Sequence, residues 1–163
     1  MAMQYDVKSY HVTTSKTVAT SRVRLKSITV SPATASLRSS AVADPTVFKT
    51  GTYARLAAST TVTVTITAHG LETGDRVFMD FTTGTAVDGV YAITKTNANV
   101  FTVTTAASTA TSGAVTFYSV ILLELDTYNI IGLPVTIPGQ GILCRNGMFV
   151  GVGGSVTATV FYG

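Results

Sequence analysis

His69, Glu72 and Asp75 fall within the seven residues HGLETGD (69–75), a spacing at which an imidazole and two carboxylates could converge on a metal ion or share a proton. A metal site needs three or four ligands, and the only other histidine, His11, lies far away in a polar segment. A structural account explains the same residues. Gly70 and Gly74 supply positive φ, Asp75 bonds back to the turn backbone, and Leu71 plugs the bottom of a small core. HGLETGD is therefore expected to be a bend joining two strands.

Other candidates for chemistry are equally sparse. Cys144 sits in the strand-like ILCRN with no strand-to-helix elbow beside it, so it is expected to be a small core hydrophobe, not a nucleophile. The glycine clusters PGQG and GVGG precede no helix, so no amide crown is available for a phosphate, and hairpin turns are expected there. Paired carboxylates for glycoside hydrolysis could be sought among Asp75, Asp80, Asp88, Glu124 and Asp126. Without tryptophan and with few charges, a sugar cleft is poorly supported; Asp88 opens a DG turn and Asp126 ends a strand. Neither catalysis nor a cofactor is expected.

The elements that would position these residues are strands. TVTVTIT (61–67) alternates Val62, Val64 and Ile66 with threonine, which puts the apolar side chains on one face. RVFMDF (76–81), VYAITKT (90–96), VFTVTT (100–105) and AVTFYSVILLEL (114–125) follow, separated by Gly-, Asn- and Thr-rich turns, a spacing that predicts an antiparallel meander or small barrel. In RVFMDF, Val77, Met79 and Phe81 share one face, while Phe78 accompanies Asp80 on the other, where it is placed to meet a partner chain or to sit at a rim within the same subunit. RVRLKSITV (22–30) is a further strand with Val23 and Leu25 inward, closed by Pro32. ILC, MFVGV and SVTATVFYG are strands near the C-terminus, where Val156, Ala158, Val160 and Tyr162 share a face.

These segments predict an all-β chain: an antiparallel, jelly-roll-like β-sandwich of residues 1–55 and 118–163, with residues 56–117 inserted as a small β-barrel or meander module. A length of 163 residues holds at most two such modules. Thr and Val abound, and both are stiff at χ1 in a way that suits a pleated strand.

Only 12% of residues are charged, about half the usual share, so patches meant for interfaces are expected on the surface. The opening MAMQYDVKSYHVTTSKT has no apolar core of a secretory signal, and the run Val120 to Leu123 is too short to span a bilayer, so no membrane partner is expected. Eight of the 11 Lys and Arg residues lie in the first 55 positions against only Asp6 and Asp44. Of these, Arg22, Arg24, Lys26, Arg38, Lys49 and Arg55, together with Phe78, are the candidate contacts with an acidic partner surface. No aromatic platform accompanies them, so nucleic acid is a weaker expectation.

The stretch TVTITAHGLETGDRVFMDFTTGTAVDGVYAITKTNANVFTVTT (63–105) resembles a small β module that recurs in bacteriophage structural proteins, with an HGL-TGD-V turn followed by a G-Y strand and an FTV strand. The flanks RVRLKSI, VILLELDT, IPGQGILCRNGMFV and SVTATVFYG are similar to short virion proteins of marine podoviruses and related phages, which run between those flanks without the spliced module. The resemblance implies a non-enzymatic virion structural protein assembled in the host cytoplasm. It would be a head decoration or cement subunit on the capsid exterior, bound to the major capsid protein or other virion proteins and forming a homo-oligomer, a trimer or ring. The alternative it implies is a tail, collar or vertex component with a receptor- or carbohydrate-binding module.

Overall fold

The computed structural model describes residues 7–32, 38–107, 109–127, 132–154 and 156–163. Every element among them is a β-strand and every strand pairing is antiparallel. β-branched residues alternate along the strands, and glycines with positive φ punctuate the turns between them.

Nine strands build a sandwich of two sheets. In the first, β1 (Lys8–Val12), β16 (Val156–Tyr162) and β3 (Val23–Pro32) lie side by side, and β13 (Leu133–Thr136) and β14 (Ile142–Cys144) both pair with the remaining edge of β3. The second has the order β12 (Ile121–Thr127), β4 (Arg38–Ala43), β15 (Met148–Gly151), β2 (Lys16–Ala19). Val156, Ala158 and Val160 point inward with Tyr162 packed beside them, as the alternation requires, and they meet Leu25, Ile28, Val42 and Val150 in one core. Leu25 and Ile28 are three apart yet share a face because a bulge opposite Phe161/Tyr162 shifts the register.

The seven remaining strands form a single sheet in the order β8 (Gly89–Ala92), β7 (Arg76–Asp80), β11 (Thr111–Tyr118), β5 (Phe48–Arg55), β6 (Thr61–Thr65), β10 (Val100–Thr104), β9 (Thr94–Lys95). Its two edge strands, β8 and β9, are successive pieces of one segment bent at Ile93, so the sheet curls into a nearly closed barrel. Val62, Val64, Ile66, Val77, Met79 and Phe101 fill the interior, and Leu71 closes one end. Each such residue contributes roughly 1.5–3 kcal/mol of burial.

Several details differ from the sequence reading. β5, expected in the outer sandwich, pairs with β6 and β11 and so belongs to the barrel sheet. AVTFYSVILLEL is two strands, because the chain leaves the barrel at Tyr118 and enters the four-stranded sheet at Ile121. PGQG is no hairpin: β13 and β14 continue along the same strand, β3, and the glycines carry a loop out between them. The GVGG turn also makes no hairpin, since it leads from β15 in one sheet to β16 in the other.

The middle of the four-stranded sheet, β4 and β15, is buried on both faces. Val42, Met148 and Val150 face the sandwich core, whereas Ala41, Ala43 and Phe149 face the barrel and pack on Phe78 and Val90. All four residues of β15 are buried, the unbroken pattern of a strand covered on both sides. The molecule is thus three layers: five-stranded sheet, four-stranded sheet, barrel.

Candidate functional site

The HGLETGD bend is built from its own hydrogen bonds. His69 is 3% exposed; its Nε2 lies 2.8 Å from the Asn97 carbonyl, and its Nδ1 accepts the Leu71 N–H at 3.0 Å. These partners select the neutral Nε2–H tautomer and occupy both ring nitrogens. Phe101 meets the imidazole edge-on at 5.1 Å. Asp75 Oδ2 accepts the Glu72 N–H at 2.8 Å, Glu72 pairs with Lys95 at 2.5 Å, and Gly70 and Gly74 have φ of 74° and 99°. Every residue of the triad therefore has a turn-forming partner. Among the described residues, no group of three or more His, Cys, Asp or Glu side chains comes together as a metal would need. Cys144 is fully buried in the sandwich core, which pushes its thiol up.

The candidate contact residues separate into different environments. Arg22 is exposed ahead of β3; Arg24 flanks the buried Leu25 and so points away from the core; the Lys26 ammonium donates to the Gln140 carbonyl at 3.0 Å. These three lie on the sandwich. Lys49 is exposed on the barrel and donates to the Ala68 carbonyl. Arg38 opens β4, but its side chain lies outside the described residues.

Two expectations need correction. Arg55 is 3% exposed, on the same inward face of β5 as Tyr53, and its guanidinium donates to the Thr109 carbonyl and the Thr105 hydroxyl, both at 2.8 Å. It ties β5 to the loop after β10, and neutral oxygens satisfy the buried cation, so no surface charge remains for a partner. Phe78 is fully buried, and what it meets is the sandwich of its own chain, not another subunit. Its ring stands edge-on to Phe149 at 5.8 Å, and Tyr118 stacks on the same Phe149 at 3.8 Å. An added Cβ on Gly151 would lie 2.4 Å from the Phe78 ring, so the bare backbone there is what admits it.

This barrel–sandwich junction also gathers the titratable groups. Arg76 of β7 grips Glu124 of β12 through two hydrogen bonds, the longer at 3.1 Å, and this pair, half open to solvent, joins the two bodies. Asp88 accepts the Phe81 N–H at 2.8 Å. Burial, reinforced by the neighbouring Asp80 charge, pushes the Asp88 carboxyl up to about 7, against the lowering effect of the Phe81 N–H and the Ser15 hydroxyl. Burial likewise raises Asp80, and burial together with Asp80 raises Tyr118. A cavity of about 480 Å³ opens beside them, with Arg76, Asp88, Tyr91, Thr104 and Asp126 in its wall. The arrangement can hold a proton near neutral pH.

In the sequence Asp88 has the look of an ordinary turn residue before Gly89, and nothing local marks its burial. Strand alternation did place Asp80 beside Phe78, and a carboxylate sharing a face with a large apolar residue was the available signal.

No protein-family model matches the chain, and the comparison with curated proteins yields no match. Among solved structures the chain is similar to phage phi92 endosialidase, at 20% identity over 81% of this chain with a TM-score of 0.35. It spans 20% of the length of that chain.

Proposed function

We propose that the chain is a non-enzymatic structural subunit of a bacteriophage particle, a decoration or cement protein that docks on the shell through its sandwich and carries the barrel outward. The observation that carries this reading is the polarity of the three layers. Arg24 and Lys26 belong to the five-stranded sheet and Arg22 directly precedes it, and the barrel packs on the far side of the four-stranded sheet. These three cations and the projecting module therefore occupy opposite ends of the body, with Lys49 alone of the described exposed candidates on the barrel, an arrangement suited to a subunit whose sandwich end meets an acidic neighbour. The likeness of residues 63–105 to a phage β module supports the particle context. The bonds that occupy His69, Glu72 and Asp75 support a structural role for the bend.

The test is to prepare particles with and without this protein and compare the temperature at which they release their genome. Loss of the protein lowers that temperature, and Arg22→Glu with Arg24→Glu abolishes rebinding to stripped shells. Equal stability with and without the protein contradicts the cement role.

A second reading, a tail, collar or vertex component that binds a receptor or carbohydrate, is favoured by the cavity at the junction, since ligand sites concentrate between domains. Saccharide binding by the full chain that Asp126→Asn abolishes would favour it.

A further inference from the structure

We propose that Asn146 is a self-modification site: in the folded chain it deamidates to a carboxylate, which unfastens Asp44 where the chain crosses between sandwich and barrel. Arg145 and Asn146 form the exposed turn between β14 and β15, and Gly147 follows them. An asparagine followed by glycine is the least protected form of a thermolabile residue, because no Cβ shields the glycine nitrogen from the side-chain carbonyl. Among the described residues, the Gly147 N–H makes no backbone hydrogen bond outside the strand ladders. Asn97 and Asn99 differ on both counts: they precede Ala98 and Val100, and each commits its Oδ1 to a backbone N–H.

The fold fixes both halves of the dipeptide. Gly147 has a φ of 112°, and an added Cβ would lie 2.4 Å from the Ala19 carbonyl oxygen, so no larger residue fits. Asn146 donates from Nδ2 to Asp44 Oδ2 at 2.7 Å, while Asp44 Oδ1 accepts the Thr46 N–H at 2.8 Å and the Thr46 hydroxyl at 2.7 Å. The chain crosses between the two bodies at residues 44–47 and again at 119–120, and the Asp44 N–H donates to the Val120 carbonyl at 2.9 Å. Asp44 thus fastens both crossings to the β14–β15 turn.

The reaction needs only water. The Gly147 nitrogen attacks Cγ of Asn146, the bond from Cγ to the side-chain nitrogen breaks, and that NH2 leaves as ammonia with the proton Gly147 gave up. Water then opens the resulting succinimide ring at either carbonyl, leaving aspartate or isoaspartate. Where an amide donated to Asp44, a second carboxylate now faces it, so the hydrogen bond is replaced by like-charge repulsion.

Peptide mapping by mass spectrometry tests the reaction on the folded full chain kept at pH 8.5 and 37 °C, beside the same chain in concentrated urea. Conversion to aspartate and isoaspartate is expected at Asn146 ahead of Asn97 and Asn99. An Asn146 that stays intact in the folded chain while the urea-unfolded chain converts overturns the proposal, as does earlier conversion at Asn97 or Asn99. Thermal unfolding at low salt tests the consequence. Asn146→Asp, which installs the product, should melt about 2–4 °C below the native chain. Adding Asp44→Asn should recover most of that loss, because a donor again faces an acceptor. A single variant that melts with the native chain, or a double variant without recovery, overturns the unfastening. Should Asn146→Asp not fold, the aged native chain decides: a melting temperature that ignores the deamidated fraction overturns it.

Discussion

The ring of Phe78 rests on the α-carbon of Gly151: a methyl group at position 151 would approach three of its ring carbons to 2.4–2.6 Å. One residue comes from the barrel and the other from the four-stranded sheet, so the contact fixes how the two bodies meet. Gly151→Ala forces the ring aside and is expected to cost about 1–3 kcal/mol in urea unfolding. Phe78→Leu leaves a cavity at a comparable cost. The double variant should be more stable than the sum of the two predicts by at least about 0.5 kcal/mol, because the smaller side chain makes room for the methyl. Strict additivity would mean that the two positions do not share this space.

Asp88 makes stability depend on pH in an unusual direction. Its carboxyl moves from an ordinary value of 3.8 to about 7 in the folded chain, so the folded state holds a proton that the unfolded state releases. The stabilisation is complete below about pH 4, is lost as pH rises toward 7, and changes little above that. The loss amounts to about 2–4 kcal/mol. Asp80, raised in the same sense, adds to it. Asp88→Asn should flatten the profile and leave the variant more stable than the native chain at pH 8. Denaturant titrations from pH 4 to 8.5 measure this, and a native profile that rises across that interval would contradict it.

His69 is expected to behave as a structural imidazole. Nitrogen NMR should find Nδ1 as the unprotonated acceptor and Nε2 as the protonated donor, since Nδ1 receives the Leu71 N–H. His69→Ala leaves the Asn97 carbonyl and the Leu71 N–H unsatisfied and should cost about 2–3 kcal/mol. A variant of unchanged stability would require another role for the ring.

Ser40 is the reverse case. Its hydroxyl is buried without a hydrogen-bond partner among the described residues, on the face of β4 that Val42 turns to the sandwich core. Removing an unsatisfied hydroxyl relieves a desolvation penalty, so Ser40→Ala should leave stability equal or raise it by about 1 kcal/mol. Thermal unfolding at neutral pH checks the sign.

The barrel was the more legible part of the sequence, because strands such as β6 and β10 are short, alternate cleanly and face a core on one side only, whereas β7 and β8 are also covered by the sandwich. Val62, Val64 and Ile66 announce their burial through period two, and Gly70 and Gly74 announce their turn. The sandwich was harder. β15 is buried on both faces, so MFVG shows no alternation to reveal which side meets the barrel. Local patterning fixes a strand but not its sheet, which is why SVILLEL gave no sign of the crossing from barrel to sandwich at Ser119 and Val120. For the junction, Phe78 could be assigned to its face, while its partner Gly151 lies 73 positions onward in a glycine cluster that reads as a turn. Arg55 misled by type: a cation suggests a surface, and only its register with Tyr53 pointed inward.

Quantitative mass spectrometry of purified particles from a phage that encodes this chain tests the central functional claim most directly, by counting its copies against the shell subunit. A decoration protein is present in fixed proportion to the shell subunits. Absence from the particle, or a count matching a single small ring at a vertex or tail, would contradict the cement role.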